Sequence, residues 1–392
     1  MAARRATALA LALFVFGFGE ELWFRYLPEY LRTLGASAFA LGLFGTLKDL
    51  LDAAYAYPGG RISDRLGSRD ALILFGALST AGFAVLWLWQ TIAGVFVGLL
   101  LVMAWASLGL PATFSLVGEE LEGSRRVVGF TVQAILKRVP IVLAPPIGGL
   151  MLERFGIAGG MRIGFAVSIA LAVGMLLGLA RALRGRAGET ETPRPALASA
   201  RRVRLRPALR QLLIADCLVR LCEGLPDVFL VVWAVEILHV SPAQFGVLVS
   251  VLMMTAIASY IPAAALAGRA EKKPFVLMTY VFFTAYPLAV LASKTFGQLI
   301  AAYAMGGLRE IGEPARKALI VDLSDRDARG RTVGLYYAIR GFAVAGAAVI
   351  GGALWTIRPF WTFVAAAVLG LAGTLWAARY LPSQPRVTEE DR

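Results

Sequence analysis

Histidine occurs once in this sequence, at His239, and cysteine twice, at Cys217 and Cys222. A single imidazole excludes a multi-histidine metal site, though not a cation held by oxygen ligands. The two cysteines stand at i and i+5 of one apolar run, on different faces of a helix, so they do not bridge easily and read as small buried residues. No G-x-x-x-x-G-K-[ST] run occurs, which speaks against an ATP-driven pump. Neither a nucleophile with a paired base nor a soluble catalytic domain is visible, so no enzyme activity, metal or cofactor is expected. Charge is scarce as well: 17% of the 392 residues are charged against 58% apolar, with a mean hydropathy of +0.70. A soluble chain with that much apolar surface would precipitate, so this is an integral membrane protein.

What the sequence has in abundance is apolar runs of about 20 residues, the length a helix needs to cross about 30 Å of hydrocarbon. They fall near 7–32, 38–58, 70–89, 92–118, 127–152, 160–183, 209–236, 244–267, 274–293, 296–321, 331–356 and 359–381. Twelve spans result, and the shorter alternating segments of a β-barrel are absent. The net charge of +13 is distributed over alternate loops, as the positive-inside rule expects, and is not a nucleic-acid patch. Arg4 and Arg5, Arg61, Arg65 and Arg69, Arg125 and Arg126, Arg269 with Lys272 and Lys273, and Arg326, Arg329 and Arg331 mark one side. The opposite connections "TLGAS", "QT", "LHVSP" and "SKTF" carry only Lys294. Both termini are therefore expected in the cytoplasm. The first apolar run is too long for a cleavable signal and lacks a small-residue cleavage site.

The segment Arg184 to Pro207 is polar, rich in Pro and Arg, and without an apolar face, which is the composition of a linker. The expected organisation is an N-terminal six-helix bundle over 1–183, a cytoplasmic linker over 184–208, a C-terminal six-helix bundle over 209–382 and a cytoplasmic tail over 383–392. The halves echo one another. "LGASAFALG" from Leu34 and "LHVSPAQFG" from Leu238 match at Leu, Ser and Gly with a shift of 204, which also pairs Pro58 with Pro262 and Arg65 with Arg269. A shift of 203 pairs Gly109 and Pro111 with Gly312 and Pro314, and the "IGG" of 147–149 with that of 350–352. Duplication with six spans per half characterises secondary transporters.

Between the second and third spans stands "GRISDRLGSRD", in which Gly60, Asp64, Arg65, Gly67 and Arg69 fit G-x-x-x-D-[RK]-x-G-x-[RK]-[RK], with Asp70 in the last basic position. This resembles the cytoplasmic loop signature of the major facilitator superfamily, and with twelve spans and a central linker the likeness covers essentially the whole chain. It implies an all-α membrane protein of two six-helix bundles related by a pseudo-two-fold repeat. It also implies that the loop motif is part of a cytoplasmic gate. The fourth span lacks the family's buried arginine, and "APPIGG" at 144–149 matches only the tail of the antiporter signature, with Thr131, Pro140 and Ala144 at glycine positions.

An ionisable side chain at the bilayer centre costs at least about 2.5 kcal/mol, so such residues face the protein interior and are candidates for function. Span one carries Glu20, Glu21 and Arg25, and span two Lys48, Asp49 and Asp52; Glu21 with Arg25 and Lys48 with Asp52 are i, i+4 neighbours. Span five holds Lys137 and Arg138. In span seven, Asp216, Arg220, Glu223 and Asp227 fall within about 60° on one helix face. Span ten adds Arg309, Glu310, Glu313, Arg316 and Lys317, and span eleven adds Arg340. Arg309–Glu313 and Glu313–Lys317 are expected i, i+4 pairs, Arg316 and Lys317 are expected to anchor the inner end by snorkelling, and Pro314 beside Gly312 predicts a kink. Nine acids, with Glu29 set aside as too near the surface, face nine bases, so the near balance fits a salt-bridge network as well as a substrate site. Trp23, Tyr26, Tyr30, Trp105, Tyr336 and Tyr337 read as core or interface anchors before cavity lining.

The resulting expectation is a secondary active transporter working by alternating access, coupled to protons, for a small polar or charged organic solute. The substrate and proton pathway would draw on Glu20, Glu21, Arg25, Asp49, Asp52, Arg138, Asp216, Arg220, Glu223, Asp227, Arg309, Glu313 and Arg340. Glu20, flanked at i±4 by Phe16 and Phe24, is the candidate proton carrier. Arg138 and Arg340 correspond in the repeat and would grip an organic anion. The alternatives are a multidrug or metabolite efflux antiporter whose buried charges are structural, a lipid flippase of the same fold, and a membrane receptor, which the short linker and tail disfavour. Expected partners are a small-molecule substrate, protons and the lipid bilayer, with no nucleic acid and a functional monomer. The excess of Arg over Lys suggests a bacterial inner membrane.

Overall fold

The computed structural model describes residues 2–105, 124–182, 205–267, 271–324 and 329–381, and every regular element among them is helical. The linker up to residue 204 and the tail from 382 lie outside the described residues. Two compact units emerge from the packing. One comprises Met1–Ala36, Leu47–Ser199 and Ser241–Val247, the other Ser37–Thr46, Ala200–Val240 and Leu248–Arg392, so the helices that open near 38 and 242 are each divided and are described below with the unit that holds most of their length.

In the first unit, α1 (Ala2–Glu21) gives way to a 3-10 turn at Phe24–Tyr26 and then α2 (Leu27–Thr33), whose Pro28 suits a first helical turn. α3 (Ala38–Leu66) and α4 (Ser68–Leu88) meet at Gly67, where φ is 80° and a side chain would be strained. α5 (Ile92–Met103) starts at Thr91, whose hydroxyl accepts from the Gly94 N–H. α6 (Ser124–Ala182) is two helices joined at Gly156, at φ 73°. Trp23, Tyr26 and Tyr30 are buried, and Phe16 stacks on Trp105 at 4.5 Å. The indole Nε1 of Trp23 donates to Ser168 Oγ at 2.9 Å, and that hydroxyl donates to the Gly19 carbonyl, tying α1 to the second half of α6.

The second unit contains α7 (Pro207–Gly224), a 3-10 turn at Asp227–Phe229, one helical turn at Leu230–Val232 and a wide π turn at Trp233–Ile237. Next come α8 (Pro242–Ala267), α9 (Lys272–Ala292) and α10 (Phe296–Gly307). A 3-10 turn at Leu308–Glu310 separates α10 from α11 (Glu313–Asp322), followed by α12 (Arg329–Ala345), α13 (Ala347–Ile357) and α14 (Pro359–Tyr380). Leu209, Leu212, Val276, Phe283, Leu319 and Tyr336 are among the residues of its main apolar core. The expected kink at Pro314 is a full helix break: α10 ends, and Pro314 sits in the opening turn of α11.

Six described stretches are long and apolar enough to cross a membrane; Gly156 divides one of them, Arg138–Arg181, and the boundary between α12 and α13 falls inside another, Thr332–Ile357. Spans one, seven and ten are each interrupted by a 3-10 turn. Non-helical backbone at membrane depth is tolerated only where protein or a cavity surrounds it.

The repeat read in the sequence governs packing. A Cβ added at Gly148 would lie 1.7 Å from the Leu22 carbonyl oxygen, and one at Gly351 would lie 2.1 Å from that of Leu225, with both pairs related by a shift of 203. A Cβ at Gly149 would lie 2.3 Å from the Pro242 carbonyl oxygen within the first unit, and one at Gly352 2.7 Å from that of Ala38 within the second. The N-caps repeat as well: Thr295 accepts from the Gln298 N–H as Thr91 does from Gly94, 204 residues apart. The opening turns of α3 and α8 thus each pack where a glycine admits backbone.

Candidate functional site

In the first unit the expected Glu21–Arg25 pair forms, with Nε to Oε2 at 3.0 Å. Lys48 meets Asp49 at 3.6 Å, and Asp52 is exposed. Glu20 and Arg138 are half-buried. Glu29, set aside in the sequence, is only 5% exposed and lies in the first turn of α2, where the helix dipole favours an acid. Of the loop motif, Gly60, Asp64 and Arg65 fall in the last turns of α3, with Arg65 exposed, and Arg69 opens α4. The side chains of Asp64, Arg69 and Lys137 lie outside the described set.

The charges of the second unit converge. Arg316 of α11 is 2% exposed and donates from Nη1 to Asp216 Oδ2 of α7 at 2.6 Å. It also forks onto Glu313, Nε to Oε2 at 2.9 Å and Nη2 to Oε1 at 2.7 Å. Arg220 donates to Glu223 Oε2 at 2.7 Å and to Glu313 Oε2 at 3.4 Å, joining α7 to α11. Arg309 sits on the 3-10 turn, with Nε on the Gly306 carbonyl at 2.7 Å and Nη1 at 3.4 Å from Glu223 Oε1. Its guanidinium lies over the rings of Phe283 and Tyr286 at 4.9 and 4.6 Å, and that of Arg220 over Phe283 at 5.1 Å. From α12, Tyr336 donates its hydroxyl to Asp216 Oδ2 at 3.0 Å, and Arg340 Nη1 reaches the same oxygen at 3.4 Å.

Two expectations are revised. Arg316 does not snorkel, because the break at 308–310 restarts the helix at Glu313 and puts residues 313 and 316 on one turn, facing Asp216. Arg309 pairs with Glu223 and not with Glu313, because the 3-10 turn removes the α-helical i, i+4 register between them. The Glu313–Lys317 pair does form, at 3.5 Å, with Lys317 half in solvent. Asp227 is half-buried on the next 3-10 turn. Arg138 and Arg340 belong to different units. Sequence reasoning read Tyr336 as a core or interface anchor without linking it to Asp216, although it precedes Arg340 by one helical turn on the same face, and it missed Phe283.

Such a cluster can do two things. Fully paired members fix three helices together, whereas arginines with spare donors can accept an anion.

The Major Facilitator Superfamily model matches residues 9–222 and 212–392. An uncharacterised MFS-type transporter of Methanocaldococcus jannaschii is 20% identical over 94% of this chain and 92% of its own length. An uncharacterised MFS-type transporter of Mycobacterium tuberculosis is 26% identical over 150 residues, and the match spans only 36% of that protein. Among solved structures, a peptide transporter, POT, superimposes with a TM-score of 0.76 at 18% identity, covering 96% of this chain and 93% of that one. A POT family transporter in complex with 5-aminolevulinic acid does so with a TM-score of 0.73 at 15% identity, over 95% and 94%.

Proposed function

This chain belongs to the major facilitator superfamily and is a multi-pass membrane transporter, not an enzyme; from that premise we propose that it moves a small organic solute bearing an ionised group, by alternating access and with protons. The observation that carries this reading is the charge cluster on α7, the turn at Leu308–Glu310, α11 and α12, where four arginines meet three carboxylates. An apolar solute would not need such a cluster, and each buried charge raises the cost of inserting the chain. The breaks at Asp227–Phe229 and Leu308–Glu310 flank the cluster, as discontinuous helices do at transporter binding sites. The peptide transporter POT and the POT family transporter in complex with 5-aminolevulinic acid, both of like fold, support a small-molecule solute.

For the proton, Glu223 is the most exposed carboxylate of the cluster, at 31%, and it holds both Arg220 and Arg309. Protonation there would release two arginines at once, so substrate affinity and proton occupancy would be linked. Glu20, half-buried in the first unit, is the second candidate carrier. The bacterial inner membrane and a monomeric working state belong to the same proposal.

The test is flux. Purified protein in proteoliposomes is given an imposed pH gradient, and panels of labelled peptides, amino acids, organic anions and cations are screened for uptake. Uptake of an ionised solute that collapses with a protonophore supports the reading. Movement of uncharged drugs alone, unaffected by Glu223→Gln, would favour the efflux alternative, in which the cluster is framework. The saturated bonding of Arg316 favours that second role for the innermost part of the cluster.

A further inference from the structure

The four arginines of the cluster are not equivalent. Arg316 uses all three guanidinium nitrogens on carboxylates, at 2.6 to 2.9 Å. Arg220 uses both Nη atoms, and Arg309 uses Nε and Nη1. Arg340 uses Nη1 alone, at 3.4 Å from an Asp216 oxygen already held by Arg316 and Tyr336. Its Nε and Nη2 have no protein acceptor among the described residues. That pair is the side-on fork with which a guanidinium binds a planar carboxylate through two parallel bonds.

Position and charge agree with a ligand-binding role. The guanidinium lies over the Tyr337 ring at 4.7 Å, which fixes its plane without using its edge, and the side chain is 22% exposed. Asp216 fixes one corner. A partly buried cation with an edge free of protein acceptors can bond an incoming acceptor without giving up a protein contact. Four arginines and Lys317, the last half in solvent, face Asp216, Glu223 and Glu313, so the bonded cluster has positive charge in excess, and Arg340 is its most loosely matched member.

We infer that Arg340 grips a carboxylate of the solute through its Nε/Nη2 edge, with Asp216 and Tyr337 as positioning residues and Arg316 as framework. This rests on the transporter reading and assigns one group of the substrate to one residue.

The test uses the full chain in detergent and the arginine reagent phenylglyoxal, with labelling read peptide by peptide by mass spectrometry. Arg340 is expected to react and Arg316 to resist. Acetate or benzoate should slow labelling of Arg340 several-fold, benzamide should not, and sulfate at matched ionic strength should protect less. Failure of both carboxylates to protect, or equal protection by benzamide or sulfate, overturns the assignment. As a second arm, benzoate should raise the melting temperature of the wild-type chain but not that of Arg340→Lys or Arg340→Gln, since lysine keeps the charge and loses the fork. A benzoate shift retained in Arg340→Lys would overturn the role of the fork. Solute flux unchanged in Arg340→Gln would remove this inference and leave the transporter reading standing.

Discussion

Arg316 illustrates how a single side chain can be indispensable without being reactive. Its guanidinium is bonded on three nitrogens and almost wholly excluded from solvent, so it acts as the joint between α7 and α11. Removing one partner of a buried ion pair leaves the other charged and undersolvated, which costs about 3 to 5 kcal/mol. Arg316→Gln leaves Asp216 and Glu313 with only their longer and weaker cation contacts, so it is expected to lower the unfolding free energy by up to about that amount and to show as a large fall in melting temperature in detergent. Adding Glu313→Gln to Arg316→Gln should cost less than Glu313→Gln alone, because the fork between the two residues is already lost. A double variant at least as unstable as the sum of the singles would refute the joint role. The presence of charge at 316 was legible in the sequence, but its location was not. Periodicity places residues on a helix face only while the helix is continuous, and the turn at 308–310 resets the phase. The same reset separated Arg309 from Glu313. On α7, which runs unbroken to Gly224, the predicted stripe of Asp216, Arg220 and Glu223 does gather on one side.

At the scale of elements, glycine decides how closely helices approach. Gly148 and Gly351 accept the carbonyls of Leu22 and Leu225, and these carbonyls stand just before the 3-10 turns of spans one and seven. A methyl group at either position would overlap backbone, which unlike a side-chain tip cannot swing aside. Gly148→Ala and Gly351→Ala are each expected to destabilise by about 1 to 3 kcal/mol, the range for overpacking a tight contact, and by similar amounts because the contacts are repeats of one another. Gly174→Ala, where a Cβ would meet nothing within 4 Å, is the matched control and should be neutral or slightly stabilising. Thermal unfolding of the three variants side by side checks this. A loss at Gly174 equal to those at Gly148 and Gly351 would show that helix propensity and not contact is being measured. The near-constant offset of 203 to 204 made these correspondences visible in the sequence as paired "IGG" runs. What they touch was not visible, since a glycine's partner across the helix packing leaves no mark on its neighbours in the chain.

At the scale of the whole molecule, the distribution of basic residues sets which ends of the helices face the cell interior. The connection at Gly67 is flanked by Arg61, Arg65 and Arg69, whereas that at Ser293–Thr295 carries only Lys294. Each basic residue near an anionic leaflet contributes about 1 kcal/mol of attraction, and translocating it during insertion is disfavoured, so several together outweigh one lysine. The turns at 67 and 294 should therefore lie on opposite sides, 67 inside and 294 outside. Both positions can be read with cysteine, because the native pair is removable: Cys217 is half-buried, and Cys222→Ser keeps a donor for the Phe283 carbonyl that Cys222 now reaches at 3.2 Å. In a Cys217→Ser, Cys222→Ser background, Lys294→Cys should react with a membrane-impermeant maleimide on intact cells. Asp70→Cys, also exposed, should react only after permeabilisation. The reverse pattern would invert the orientation inferred from charge, and with it the side from which an anion reaches Arg340. Labelling of both positions in intact cells would place Gly67 and Lys294 on one face, which an odd number of crossings between them forbids, and would break the span count itself.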